Sequence, residues 1–140
     1  MKKAILLSGG LDSLALTYWY RKDISVAITV NYGQKTAEKE IEVSAKICKE
    51  LSLRHEIIEI DCSSLGSGEM CPTGNKSISE IPEWWPYRNQ LLITLACMKL
   101  IHYKTKHLLF GAVKTDNRFV DGTMEFFNNF NNAVSMQEGG

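Results

Sequence analysis

Four short apolar runs alternate along the chain with stretches of helical periodicity. The runs Ala4-Ile5-Leu6-Leu7, Ser25-Val26-Ala27-Ile28-Thr29-Val30-Asn31, His55-Glu56-Ile57-Ile58-Glu59-Ile60 and Leu108-Leu109-Phe110-Gly111-Ala112 read as strands. The second is continuously apolar or β-branched, as expected for a strand of a parallel sheet covered on both faces. The first helix begins near Leu11 or Asp12 and ends near Arg21-Lys22-Asp23. Residues 35–51 place Ala37, Ile41, Ala45, Cys48 and Leu51 at spacings of four, four, three and three, with Lys and Glu between them, which predicts an amphipathic helix with Cys48 filling its core face. Residues 87–103 are apolar on most sides, predicting a well-buried helix, and a last helix carries Asp121 and Glu125 one above the other on one face of its first turn. Strands alternating with helices predict a doubly wound α/β fold with a mainly parallel, Rossmann-like sheet, whose ligands bind at the carboxyl ends of the strands.

The junction of the first strand and first helix is Ser8-Gly9-Gly10-Leu11-Asp12-Ser13. Paired glycines let the backbone bend tightly, and the first N–H groups of the helix have no intrahelical partner, so the turn is a cradle for phosphate. Ser8 and Ser13 add hydroxyl donors. Asp12 would repel a bound phosphate unless a divalent cation sat between them, which assigns it to Mg²⁺. The loop has neither the lysine of a Walker A sequence nor the third glycine of a dinucleotide fingerprint.

From Asp61 to Pro86 the periodicity is lost. Gly66, Gly68, Pro72, Gly74, Pro82 and Pro86 mark a connection far longer than usual, of the kind that forms a lid or is disordered. Trp84 and Trp85 at its end are expected to stack on a flat heterocycle or to pack the loop onto the domain. Arg88-Asn89-Gln90 is a polar group opening an apolar helix, which points to a ligand or a cap. Gly111 ends the fourth strand where a backbone can approach a base closely, and Lys114-Thr115-Asp116-Asn117-Arg118 is a polar loop beyond it.

A length of 140 residues suits one domain, 1–140, with a real core. Lys plus Arg and Asp plus Glu number 16 each, so no bulk charge draws the chain to nucleic acid or anionic lipid, and a small ligand is the better expectation. Met1-Lys2-Lys3 precedes too short an apolar run for a secretory leader, and no run approaches a membrane span; the expected location is the cytoplasm. Cys48, Cys62, Cys71 and Cys97 form no C-x-x-C pair, which disfavours a zinc knuckle.

The loop from Ser8 to Ser13 resembles the S-G-G-x-D-S loop of the N-type ATP pyrophosphatases. The whole chain resembles one branch of these, the 7-cyano-7-deazaguanine synthase (QueC) family: Tyr32-Gly33-Gln34 follows the second strand, Pro86-Tyr87-Arg88-Asn89 matches Pro-Gly-Arg-Asn, Gly111 ends the fourth strand, and residues 119–126 correspond to Tyr-Pro-Asp-Cys-Arg-x-Glu-Phe. The resemblance implies an adenine nucleotide alpha hydrolase-like fold and ATP-dependent adenylation of 7-carboxy-7-deazaguanine, with AMP displaced by ammonia and the amide dehydrated to a nitrile. It implies Asp12, Ser13 and Arg88 as catalytic residues, and Ser8, Gly9, Gly10, Leu11, Asp12, Ser13, Val30, Tyr32 and Gly111 around ATP. Gln34, Arg88, Asn89, Phe119, Asp121 and Glu125 would meet the deazaguanine, with Phe119 or Trp85 stacked on it. A homodimer and a C-terminal zinc-binding cysteine cluster also belong to the pattern. This chain departs from it at Tyr87 for Gly, at Gly122-Thr123 for Cys-Arg, and in lacking the zinc ligands, so a fragment or a shortened relative is expected. The competing expectations are a defence protein that attaches a deazaguanine to a protein partner, a tRNA-thiolating or amide-forming enzyme with the same loop, and a nucleotide-binding module without turnover.

Overall fold

The computed structural model describes residues 1–72, 83–115, 118–137 and 139. The middle of the long connection (Gly74 and Pro82 among it), Asp116 and Asn117 of the polar loop, and Glu138 and Gly140 lie outside the described residues.

Four strands, β1 (Lys3–Leu6), β2 (Ile24–Asn31), β3 (Arg54–Glu59) and β4 (Leu108–Leu109), form one sheet in the order β3-β2-β1-β4, with every pairing parallel. The expected α/β class is therefore the observed one. Side chains alternate across the sheet as the period of two requires. Ala4, Leu6, Val26, Ile28 and Val30 face one way, toward Ala96 and Leu100 of α3 (Arg88–Leu100). Ile5, Leu7 and Ala27 face the other way, toward Leu14 and Leu16 of α1 (Leu11–Tyr20) and Cys48 of α2 (Ala37–Glu50). Helices thus cover both faces, and Cys48 is core filling, its thiol pushed up to about 11 by burial.

Four elements differ from expectation. β4 has two residues where five apolar positions suggested a longer strand, because its pairing with β1 stops after Leu109. Helix α3 is covered mainly on its sheet side: Ala96 and Leu100 are buried, while Met98 is 62% exposed. The long connection is no open lid in its described parts. It forms two short turns, Ser63–Leu65 and Gly68–Met70, and Trp85 is buried edge-on against Tyr32 with ring centroids 5.0 Å apart. Packing, not stacking on a ligand, is what Trp85 does, and a Cβ at Gly66 would stand 2.5 Å from its ring. Last, Thr123 caps α4 (Met124–Ser135) by accepting from the Phe126 N–H, so Asp121 lies before the helix in a separate turn, Val120–Gly122. Asp121 and Glu125 therefore do not share a helical face. The Asp121 carboxylate is engaged instead by the Asn89 N–H, which leaves the cap of α4 to Thr123.

On the edge strand β3, Glu56 accepts from the Tyr103 hydroxyl and pairs with Lys99 Nζ at 3.1 Å and Arg54 Nε at 3.0 Å. It ties the end of α3 to the sheet. These donors, the Tyr103 hydroxyl first, lower the Glu56 carboxyl from its ordinary 4.5 to about 2. A depressed carboxyl contributes stability that is present above its ordinary value and is lost as pH falls through the folded value. Glu56→Gln is expected to lower stability by about 1 kcal/mol at neutral pH, since the group is partly solvated. It should also flatten the loss of stability between pH 4.5 and about 2, measured by urea unfolding against pH. An unchanged pH profile would show that the cluster contributes nothing.

Candidate functional site

β1 lies between β2 and β4, so the chain leaves it toward one side of the sheet and returns to add β4 on the other. Such a reversal leaves a crevice at the carboxyl ends of the two strands. The Ser8–Ser13 loop stands there. Gly9 takes a left-handed φ of 78°, and a Cβ on it would lie 3.2 Å from Val43 of α2. Gly10 is the extended N-cap of α1. The buried Ser13 hydroxyl ties the turn together, accepting from the Ser8 N–H at 3.3 Å and donating to the Gly10 carbonyl at 3.1 Å. Ser8 Oγ accepts from the Gly10 N–H at 3.3 Å.

The first intrahelical bond runs from the Leu14 N–H to the Gly10 carbonyl, 3.0 Å. The N–H groups of Leu11, Asp12 and Ser13 therefore have no acceptor within the helix. Leu11 itself is 86% exposed and lies off the cavity described next. Behind the loop, Gly111 fits so closely that a Cβ would lie 2.9 Å from Ser13 N and 3.1 Å from the Asp12 carbonyl carbon. Within this fold its lack of a side chain serves packing against the loop.

The crevice opens into a cavity of about 350 Å³, a size suited to a small ligand. Ser8, Asp12 and Ser13 line it together with Val30, Tyr32, Arg88, Asn89, Gly111 and Phe119. The Arg88 and Arg118 guanidiniums lie 5.6 and 5.7 Å from the centre of the Phe119 ring. Burial pushes the Tyr32 phenol up, and the Arg88 charge partly opposes that rise. Arg88 stands at the first position of α3 because the preceding Tyr87 turns the chain with a left-handed φ of 54°. This conformation favours glycine, which accounts for the glycine of the family pattern at this position.

The other expected contacts lie off the cavity. Gln34 is buried beneath it, its amide oxygen accepting from the Tyr32 N–H at 2.9 Å and its nitrogen donating to the Val30 carbonyl and to Glu40 Oε2, both at 3.1 Å. Its amide is fully used in bracing the turn. Asp121 caps α3: its carboxylate accepts from the Asn89 N–H at 3.3 Å, and its carbonyl accepts from Asn89 Nδ2 at 2.8 Å. Glu125 is exposed on α4. Gly9 and Gly10 shape the loop and do not line the cavity. Two charged lining residues, Glu40 and Arg118, are not among the candidates of the sequence reading. Glu40 sits in a Lys/Glu-rich helix where no spacing distinguishes it from solvated neighbours.

Asp12 and the hydroxyls of Ser8 and Ser13 are hard oxygen donors beside the bare N–H groups that open α1. With phosphate oxygens completing the shell, this set fits Mg²⁺. Zinc has no such set: among the described residues no three His, Cys, Asp or Glu side chains gather to hold a metal, and Cys48, Cys62 and Cys71 are separately buried. No described helix is long and apolar enough to cross a membrane.

Comparison with known proteins bears on the chain as a whole. The family model described as Queuosine biosynthesis protein QueC matches residues 2–139. A protein of Methanobrevibacter smithii named 7-cyano-7-deazaguanine synthase is 33% identical over 96% of this chain and 67% of its own length. Proteins of that name from Desulfitobacterium hafniense and Pyrococcus furiosus are 34% and 33% identical, over 80% and 95% of this chain. The chain spans between 56% and 67% of the length of these three relatives.

The tight fit of Gly111 yields a prediction. Gly111→Ala must displace the Asp12–Ser13 backbone by several tenths of an ångström. It should leave the far-ultraviolet circular dichroism unchanged and weaken nucleotide binding by about tenfold or more in calorimetry. Wild-type affinity in this variant would mean that the loop is not the binding element.

Proposed function

The chain belongs to the QueC family, and on that premise we propose that residues 1–140 form one pyrophosphate-loop domain that uses ATP to activate the carboxylate of 7-carboxy-7-deazaguanine. The observation that carries this reading is the juxtaposition at the strand ends. Asp12 and Ser13, whose N–H groups have no acceptor within the helix, line one cavity together with the guanidinium-bearing Arg88.

A carboxylate is a poor electrophile. Attack by its oxygen on the α-phosphorus of ATP turns it into an acyl adenylate and releases pyrophosphate. The main-chain donors, the Ser8 hydroxyl and the positive end of the α1 dipole stabilise the charge that builds on the departing group. Mg²⁺, held through Asp12, would supply further neutralisation of that charge. Val30, Tyr32 and Gly111 flank the nucleoside. Arg88, backed by the Phe119 ring, pairs with the substrate carboxylate and orients it for in-line attack. Ammonia then displaces AMP to give the amide, and a second activation of the amide oxygen dehydrates it to the nitrile. Asn89 and Asp121 act one step back, holding the start of α3 and with it Arg88.

Phosphorus NMR of the protein with ATP, Mg²⁺ and ammonium tests this reading. AMP and pyrophosphate are expected only when 7-carboxy-7-deazaguanine is added, and Asp12→Ala should reduce their formation by about 100-fold or more without loss of fold. ATP left intact in the presence of the deazaguanine, or AMP formation indifferent to Asp12→Ala, would contradict it.

A further inference from the structure

Glu40 is the cavity's second carboxylate. It lies on α2 and lines the same space as Asp12 and Arg88. A cavity that served polyphosphate alone would gain nothing from another negative charge facing it. The fold nevertheless holds this one in place. The Gln34 amide, locked between the Tyr32 N–H and the Val30 carbonyl, donates to Glu40 Oε2 at 3.1 Å, and the Thr36 hydroxyl donates to Oε1 at 2.6 Å. Each carboxylate oxygen so bound keeps a lone pair in reserve.

We propose that Glu40 is the ammonium-binding group and general base of the amine-transfer half of the reaction, an inference that rests on the adenylation reading above. At neutral pH the ammonia pool is almost entirely ammonium, a cation with no lone pair to attack with. Glu40 Oε accepts one proton from it and becomes a carboxylic acid. The freed nitrogen lone pair forms a C–N bond to the acyl carbon, and the C–O bond to the adenylyl phosphate breaks, with AMP leaving on the electron pair. The nitrogen gives its surplus proton to water, so ammonium and acyl adenylate yield amide, AMP and two protons.

Two features of the surroundings suit the task. Burial raises the Glu40 carboxyl above its ordinary value, more than its hydrogen bonds and the Arg88 charge lower it, which makes it a better proton acceptor. Arg88 is the cation whose charge acts on it in the free protein, and that guanidinium is the group expected to turn to the substrate carboxylate. Glu40 is then left to attract a second, smaller cation.

The test separates the two halves of the reaction in the full chain. Exchange of labelled pyrophosphate into ATP, with 7-carboxy-7-deazaguanine and no amine, reads adenylation. Amide formation with ammonium and hydroxamate formation with hydroxylamine, which is already a neutral nucleophile at neutral pH, read amine transfer with and without need of a base. Glu40→Gln is expected to keep the exchange, which also reports an intact fold, and to keep the hydroxylamine rate, while the ammonium rate falls by about 100-fold. Glu40→Asp, which retains a shortened carboxylate, should fall between the two. Equal loss of the ammonium and hydroxylamine rates, loss of exchange, or a wild-type ammonium rate in Glu40→Gln would each overturn the inference while leaving adenylation standing. Absence of exchange in the unaltered protein would overturn the adenylation reading and this inference with it.

Discussion

Everything at the site depends on one close approach, that of the end of β4 to the start of α1. The sheet reverses its winding at β1, and a reversal leaves open space at the strand ends. That space becomes a binding crevice only if the helix after β1 points its bare N–H groups into it. Gly111, with no room for a Cβ against Ser13 N, lets β4 lie directly behind the loop and set that direction. The Ser13 hydroxyl, buried and bonded to both Ser8 and Gly10, fixes the loop from the other side.

A second consequence is that the charges around the crevice are unequal in kind. The attractive groups for an anion are largely main-chain dipoles, which cannot be titrated away, plus guanidiniums seated on the Phe119 ring. The repulsive groups are two carboxylates at different positions: Asp12 exposed at the helix start, Glu40 half-buried and braced by Gln34 and Thr36. An anion site tolerates carboxylates only where a cation intervenes. On the proposed reading, Asp12 beside phosphate would call for a divalent ion, and Glu40 beside Arg88 for a guanidinium or an ammonium.

The sheet, its parallel sense and the tight turn between β1 and α1 were legible in the sequence because each has a local cause: continuous apolar strands, a four-and-three spacing in α2, two glycines between strand and helix. The substrate side was less so. Asp121 and Glu125 share a spacing that fits one helical face, yet Thr123 between them captures the helix start. Gln34 follows the tyrosine and glycine of a strand-end turn as a ligand contact would, but its amide is spent on main-chain groups of that turn and on the Glu40 carboxylate. Trp85 has the chemistry to stack on a base and the neighbours, Tyr32 and Gly66, that bury it instead. The first two outcomes are decided by side-chain to main-chain bonds a few residues away, the third by partners distant in the chain, and periodicity is blind to both. Glu40 escaped for the same reason, since only the approach of Arg88 from a later helix sets it apart from the other acidic residues of α2.

The claim on which the rest stands is that the anion is held by the main chain at the opening of α1. Proton–nitrogen correlation NMR during titration with magnesium pyrophosphate addresses it directly. The amide protons of Leu11, Asp12 and Ser13 are expected to move downfield more than any others as they acquire acceptors. Small shifts at these three, with the large ones gathered on surface lysines or elsewhere on the sheet, would show that the loop is a turn and not a cradle.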